Sequence, residues 1–160
     1  MEAIPWEVNK TPFTDGYVAG FLDGDGSIVA TLERRPERRR FPYRIRLKIN
    51  FTQHKRHRKM LVMLQEYLGD VGSLRDVTGH NLAELVIQKR SEVKAVLLRV
   101  MPHLILKVRQ ARKMTDIIAL YEKAKVNVRS SLSEKEFRRI VAIVREIRKL
   151  NSNTGGKQTV

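Results

Sequence analysis

The chain contains no cysteine. Disulfides and thiolate metal sites are therefore excluded. Acidic residues are the next scarcity. Only 17 Asp and Glu stand against 32 Lys and Arg, giving a formal charge of +15. A surface so short of carboxylates attracts polyanions, and counterion release favours nucleic acid. An anionic membrane is the weaker candidate, because no basic amphipathic anchor or lipidation signal is present. No apolar run is long enough to span a bilayer, and residues 1–10 lack the apolar core of a signal peptide. An intracellular, soluble protein, neither secreted nor membrane-bound, is expected. Glycine-rich nucleotide loops and nucleophile elbows are missing as well.

The 160 residues, 42% hydrophobic and 31% charged, suit one globular domain with a real core. We expect it over residues 13–151, between tails at 1–12 and 152–160. Thr14 is placed to cap a helix that runs to about Gly24, with Asp15 in its first turn. This helix ends in Asp23-Gly24-Asp25-Gly26, where the free carbonyls already carry partial negative charge. Carboxylates there call for a positive neighbour, and a divalent cation with hard oxygen ligands fits. Gly16, Gly20 and Gly24 recur every fourth residue on one stripe, at about 1 kcal/mol each relative to alanine. Such a bare stripe serves either a tight contact within the chain or a symmetric contact between two copies of the helix.

A strand is expected over 27–34, then a loop rich in arginine (Arg35, Arg38, Arg39, Arg40). Residues 44–51 alternate: Arg44, Arg46, Lys48 and Asn50 face one way, Ile45, Leu47, Ile49 and Phe51 the other. This is a half-buried strand. Its ladder of cations is self-repelling unless an anion lies across it. A helix over 56–68 follows, stopped by Gly69. Then come strands near 72–77 and 82–89, a helix from Ser91 to about Pro102, a long helix over 105–124 and a final helix. The last opens with the capping box Ser133-Glu134-Lys135-Glu136, and Phe137, Ile140, Val141, Val144 and Ile147 form its apolar stripe. The order is α+β with antiparallel hairpins rather than βαβ units.

The run Val18-Ala19-Gly20-Phe21-Leu22-Asp23-Gly24-Asp25-Gly26 resembles the signature of the LAGLIDADG homing endonucleases. The αββαββα order resembles that family too, over residues 13–150. Val18, Phe21, Leu22 and Gly24 are mild departures from the eponymous string. The resemblance implies an antiparallel sheet forming a saddle for DNA, with helices packed behind it and further helices at the C-terminus. It implies a site-specific, intron-encoded nuclease that makes double-strand breaks in a long, pseudo-palindromic target. The cofactor implied is magnesium, with calcium or manganese able to occupy the same site.

Carried onto this chain, Asp25 and the Gly24 carbonyl would be metal ligands, with Asp23 a local cap. Gln53 would orient a water, and Lys107 would place positive charge near the transition state. Close single-motif relatives carry an arginine where this chain has His57, so Arg56, His57 and Arg58 compete for that role. Thr31, Arg35, Arg38, Arg40, Arg44, Arg46, Lys48, Asn50 and Arg75 are the expected DNA contacts. With one motif per chain, a homodimer is implied, joined through Gly16, Gly20, Phe21 and Gly24.

Rival sites fit less well. As an EF-hand loop the aspartate run has Ile28 where the turn glycine belongs and Arg34 where the bidentate glutamate belongs. His54 and His57, with only His80 and His103 elsewhere, make a poor zinc site. Two other functions remain beside the nuclease: a non-cleaving binder on the same fold, as an intron RNA maturase or DNA-binding regulator, and a ribosomal-type RNA-binding protein. Asp25, Gln53 and Lys107 together favour the enzyme.

Overall fold

The computed structural model describes residues 12–38, 42–126 and 132–153. Arg39 and Arg40 of the arginine loop, and nearly all of both expected tails, lie outside them. The first helix, α1 (Asp15–Asp25), starts where Thr14 Oγ1 accepts the Tyr17 N–H at 3.1 Å. It buries Val18, Ala19 and Leu22. Strands β1 (Gly26–Arg34) and β2 (Tyr43–His54) pair antiparallel, with Ser27 opposite Asn50 and Thr31 opposite Arg46.

Helix α2 (Arg58–Tyr67) is shorter than the sequence pattern suggests. Residues Lys55–His57 form a 3-10 turn instead, whose start is capped by His54 Nδ1 accepting from the Arg56 N–H at 3.2 Å. As expected, Gly69 ends this segment, in the left-handed conformation at φ 92°. Strands β3 (Ser73–Val77) and β4 (Leu82–Ile87) form a hairpin, and β4 also pairs with β2. The sheet is fully antiparallel in the order β1-β2-β4-β3, which puts the longest strand, β2, in the interior.

Helices α3 (Arg90–Val100), α4 (Val108–Lys123) and α5 (Glu134–Asn153) complete the chain. Pro102 lies in a 3-10 turn, Met101–His103, rather than ending α3 itself. The α5 capping box forms in both directions, Glu136 Oε2 accepting from the Ser133 N–H and Ser133 Oγ from the Glu136 N–H. Of its expected stripe, Ile140, Val144 and Ile147 are fully buried; Phe137 and Val141 are half-buried. One face of the sheet packs Ile28, Ala30, Leu47, Ile49, Phe51, Leu85 and Ile87 against the helices. The other face is open.

The step from α1 into β1 is tight. A Cβ on Gly26 would stand 2.8 Å from the Asn50 carbonyl oxygen and 2.9 Å from Leu22 Cα. Both are backbone atoms of packed elements and cannot swing aside. Gly26→Ala should therefore cost about 1–3 kcal/mol by overpacking. Urea unfolding of this variant checks it, and an unchanged midpoint would show that α1 can shift freely against β2.

Candidate active site and nucleic-acid interface

The two aspartates at the end of α1 have different surroundings. Asp23 turns towards the start of α4. Its carboxylate accepts the N–H of Ile105 at 2.8 Å, of Leu106 at 3.2 Å and of Lys107 at 3.0 Å. Three main-chain donors just ahead of α4 converge on one carboxylate. Residues 105–107 thus stay outside α4, although their pattern suggested helix, because their N–H groups point at Asp23. The positive neighbour that the helix end required is in Asp23's case protein, not a cation.

Lys107 closes the same junction from the other side, its Nζ donating to the Asp23 main-chain carbonyl at 2.5 Å. Burial pushes the Lys107 ammonium below the usual lysine range, opposed by the Asp23 and Asp25 carboxylates. Asp25 is exposed. Its Oδ2 accepts from Gln53 Nε2 at 3.2 Å, and Gln53 sits near the end of β2 on the helix side of the sheet. Phe21 stacks on Phe51 with ring centroids 5.4 Å apart, fixing α1 against β2 just before these groups. Asp25, Gln53 and Lys107, three of the expected catalytic residues, therefore converge.

His57 does not join them through any contact among the described residues. Its Nε2 accepts from Arg56 Nε at 3.3 Å. Both line a groove of about 430 Å³ with Phe13, Tyr17, Met60 and Met63. Tyr17 precedes Asp25 by about 12 Å of helix rise. Arg58 instead reaches Asp76 on β3, at 3.6 Å.

The glycine stripe is exposed. A Cβ on Gly20 or Gly24 would meet nothing within 4 Å, and one on Gly16 only ordinary contacts with Thr14 and His103. Among the described residues no tight contact is made at Gly20 or Gly24. Phe21 is half-buried, part of it already spent on Phe51.

The open face of the sheet carries Arg44, Arg46 and Lys48, as the alternation implied, and strand register adds Thr31 and Arg75. It also carries two glutamates that the sequence reading passed over. Glu33 meets Arg46 at 3.1 Å and Arg35 at 3.4 Å, and Glu84 takes both Arg75 Nε and Nη2 at 2.9 Å. The cation ladder is thus partly neutralised by its own neighbours and does not require an anion to exist. Their in-phase positions on β1 and β4 were visible in the sequence; which cation each would face depended on strand register.

Asn50 departs furthest from expectation. It lies on the open face but is only 8% exposed. Its Oδ1 accepts from Ser27 Oγ, and its Nδ2 donates to Thr52 Oγ1 and Glu84 Oε1 at 3.4 Å. Neighbouring strands cover it. Arg38 lies among the described residues; Arg40 does not.

The donor chemistry at Asp25 suits a hard cation: an exposed carboxylate and the main-chain carbonyl of Gly24. Among the described residues no three His, Asp or Glu side chains cluster as a metal cage. That composition fits magnesium, which binds through one or two carboxylates and leaves its other positions to water and phosphate.

A four-stranded antiparallel sheet with one open face, helices behind it and α1 ending beside Gln53 is the homing-endonuclease fold. The chain belongs to the LAGLIDADG endonuclease family, whose sequence pattern matches residues 18–121. It is similar to the DNA endonuclease I-CreI of Chlamydomonas reinhardtii, 29% identical over 143 residues, covering 89% of this chain and 82% of the relative. Its fold matches that of the homing endonuclease I-CvuI, solved with its target and calcium. The TM-score is 0.77 at 23% identity, covering 91% of this chain and 85% of that one. It also matches the archaeal intron-encoded homing endonuclease I-Vdi141I, solved with DNA. Here the TM-score is 0.72 at 22% identity, covering 85% and 82%. Among the described residues no helix is long and apolar enough to cross a membrane.

The separation of the aspartates is measurable without any substrate. Asp23→Ala should lower the unfolding free energy by about 1–2 kcal/mol, the scale of a lost helix cap. Asp25→Ala should leave it near the parental value. Equal losses in chemical denaturation would refute the division.

Proposed function

We propose that this chain is a site-specific homing endonuclease. Acting as a homodimer with magnesium, it hydrolyses one phosphodiester in each strand of a long, pseudo-palindromic DNA target. The observation that carries this reading is the convergence of Asp25, Gln53 and Lys107 at the end of a helix whose glycine face is bare. The structures of I-CvuI with its target and I-Vdi141I with DNA support it by analogy of fold.

Asp25 and the Gly24 carbonyl would hold the metal. When bound, it stabilises charge on the phosphate and lowers the pKa of water. Gln53 already donates its amide N–H to Asp25, which leaves its carbonyl oxygen to accept from, and so aim, an attacking water. Lys107 presents compact positive charge where the phosphate becomes more negative. The Arg56–His57 pair is the candidate for a second basic group, since Arg58 is engaged with Asp76. Arg44, Lys48 and Thr31 are exposed or half-exposed and ready to meet DNA. Arg35, Arg46 and Arg75 must exchange glutamate partners for DNA, which adds discrimination because a poor target does not repay the broken pairs. Asn50 reads bases only if its own hydrogen bonds rearrange. By the family resemblance, Arg38 and Arg40 would meet outer bases or phosphates.

A plasmid library incubated with the protein should acquire discrete double-strand breaks with magnesium and none with chelator. Asp25→Asn should abolish cleavage while retaining DNA binding. Cleavage should also fall on the alkaline side at a pH below the ordinary lysine range, because burial makes Lys107 lose its proton early. Tight RNA binding with no breaks would favour an intron RNA maturase instead.

The bare stripe gives a separate expectation. A Cβ at Gly20 meets nothing within 4 Å among the described residues, and any residue other than proline improves on glycine in a helix. Gly20→Leu should therefore fold normally yet run as a monomer in sedimentation and lose double-strand cleavage. A dimer that survives it places the interface elsewhere.

A further inference from the structure

Lys107 is gripped at both ends by one residue. The Asp23 carboxylate binds its main-chain N–H at 3.0 Å, while the Asp23 carbonyl receives its ammonium at 2.5 Å. A lysine side chain has about 2 kcal/mol of rotamer entropy to lose, so an ammonium is not held in one place without a reason. The segment before it supplies little anchorage of its own. Ile105 and Leu106 are 82% and 67% exposed, and the start of α4 has no side-chain cap from its own N-cap residue. What fixes residues 105–107 is the remote carboxylate of Asp23, 82 to 84 positions earlier in the chain. Asp23 in turn lies two residues before Asp25, within the same helix.

We propose that Asp23 is a positioning residue. By holding the main chain of residues 105–107 and the Lys107 ammonium together, it sets that charge in register with Asp25 and the phosphate to be cut. A cap needed only for stability would be satisfied by the N–H groups alone. The ammonium bond goes to the Asp23 main chain, so what the carboxylate itself adds is a fixed origin for the lysine side chain: it holds the Lys107 backbone N–H on the residue whose carbonyl receives the ammonium. This inference rests on the endonuclease reading and adds to it the residue that aligns its cation.

Asp23→Asn tests it, because asparagine keeps the shape and one acceptor oxygen of aspartate but replaces the other oxygen with a donor. The grip on three N–H groups is then incomplete and the lysine drifts. Misplacement on the order of 1 Å can cost about 100-fold in rate, so single-turnover cleavage should slow by about ten- to hundredfold. Target affinity should stay close to parental, and the unfolding midpoint should fall by no more than in Asp23→Ala. In a Lys107→Met background the same substitution should cost no further rate, since the group it aligns is gone.

Several results would overturn the proposal. These are multiplicative losses in the double variant, parental rates in either single variant, or a rate loss matched by an equal loss of DNA affinity. A parental chain that cuts no sequence overturns the endonuclease reading and this inference together. Parental cleavage with multiplicative losses overturns this inference alone.

Discussion

The C-terminus of α1, made negative by its free carbonyls, lies against the N-terminus of α4, made positive by its free N–H groups. Asp23 closes that junction with three hydrogen bonds. The Asp23 carboxylate takes the N–H groups just ahead of α4, and the Lys107 ammonium takes the Asp23 carbonyl near the end of α1, so two side chains tie the helix ends together. Much of the candidate site depends on this contact. It brings Lys107 from the second half of the chain to the motif helix. It also occupies Asp23, which leaves Asp25 as the carboxylate open to solvent beside Gln53.

The rest of α1 divides its surface between two tasks. Val18, Ala19 and Leu22 are fully buried against the core, and Phe21 locks onto Phe51. The opposite stripe of glycines faces outward with no side chain to cover it. Glycine inside a helix destabilises it, and among the described residues no close packing at Gly20 or Gly24 offsets that cost. A second copy of the helix pressed against the stripe would do so and would bring two Asp25 carboxylates to one duplex. Gly26 then fixes where α1 ends, because only a residue without a Cβ lets the helix drop so close to β2.

The open face of the sheet shows how a basic surface remains stable without a polyanion upon it. Glu33 and Glu84 stand among the arginines and pair with them. Both pairs are partly solvent-exposed, so they are worth little to stability. On the proposed function their weight would lie in choice of partner, because each would have to be exchanged for phosphate or base edges. Asn50, Ser27, Thr52 and Glu84 form a polar cluster in the middle of that face. It is already satisfied internally, and the more available contacts lie at Lys48, Arg44 and Thr31.

Local pattern was enough to read most of the architecture. The alternation along β2 announced a strand with one apolar face, and Ser133 with Glu136 announced the start of α5. The glycine spacing announced a bare stripe on α1. Each depends only on the period of a helix or strand or on groups three residues apart, which the backbone geometry of any chain fixes. The sequence by itself therefore determined the elements, their order and the residue types available for chemistry. Tertiary structure alone decided who meets whom. Asp23 found its partners more than 80 residues away, Arg75 faced Glu84 through the β3–β4 register, and Asn50 was covered by neighbouring strands. His57 turned to Arg56 rather than towards Asp25. These outcomes follow from strand register and helix docking, which depend on the summed packing of the whole core and leave no periodic trace in any one segment.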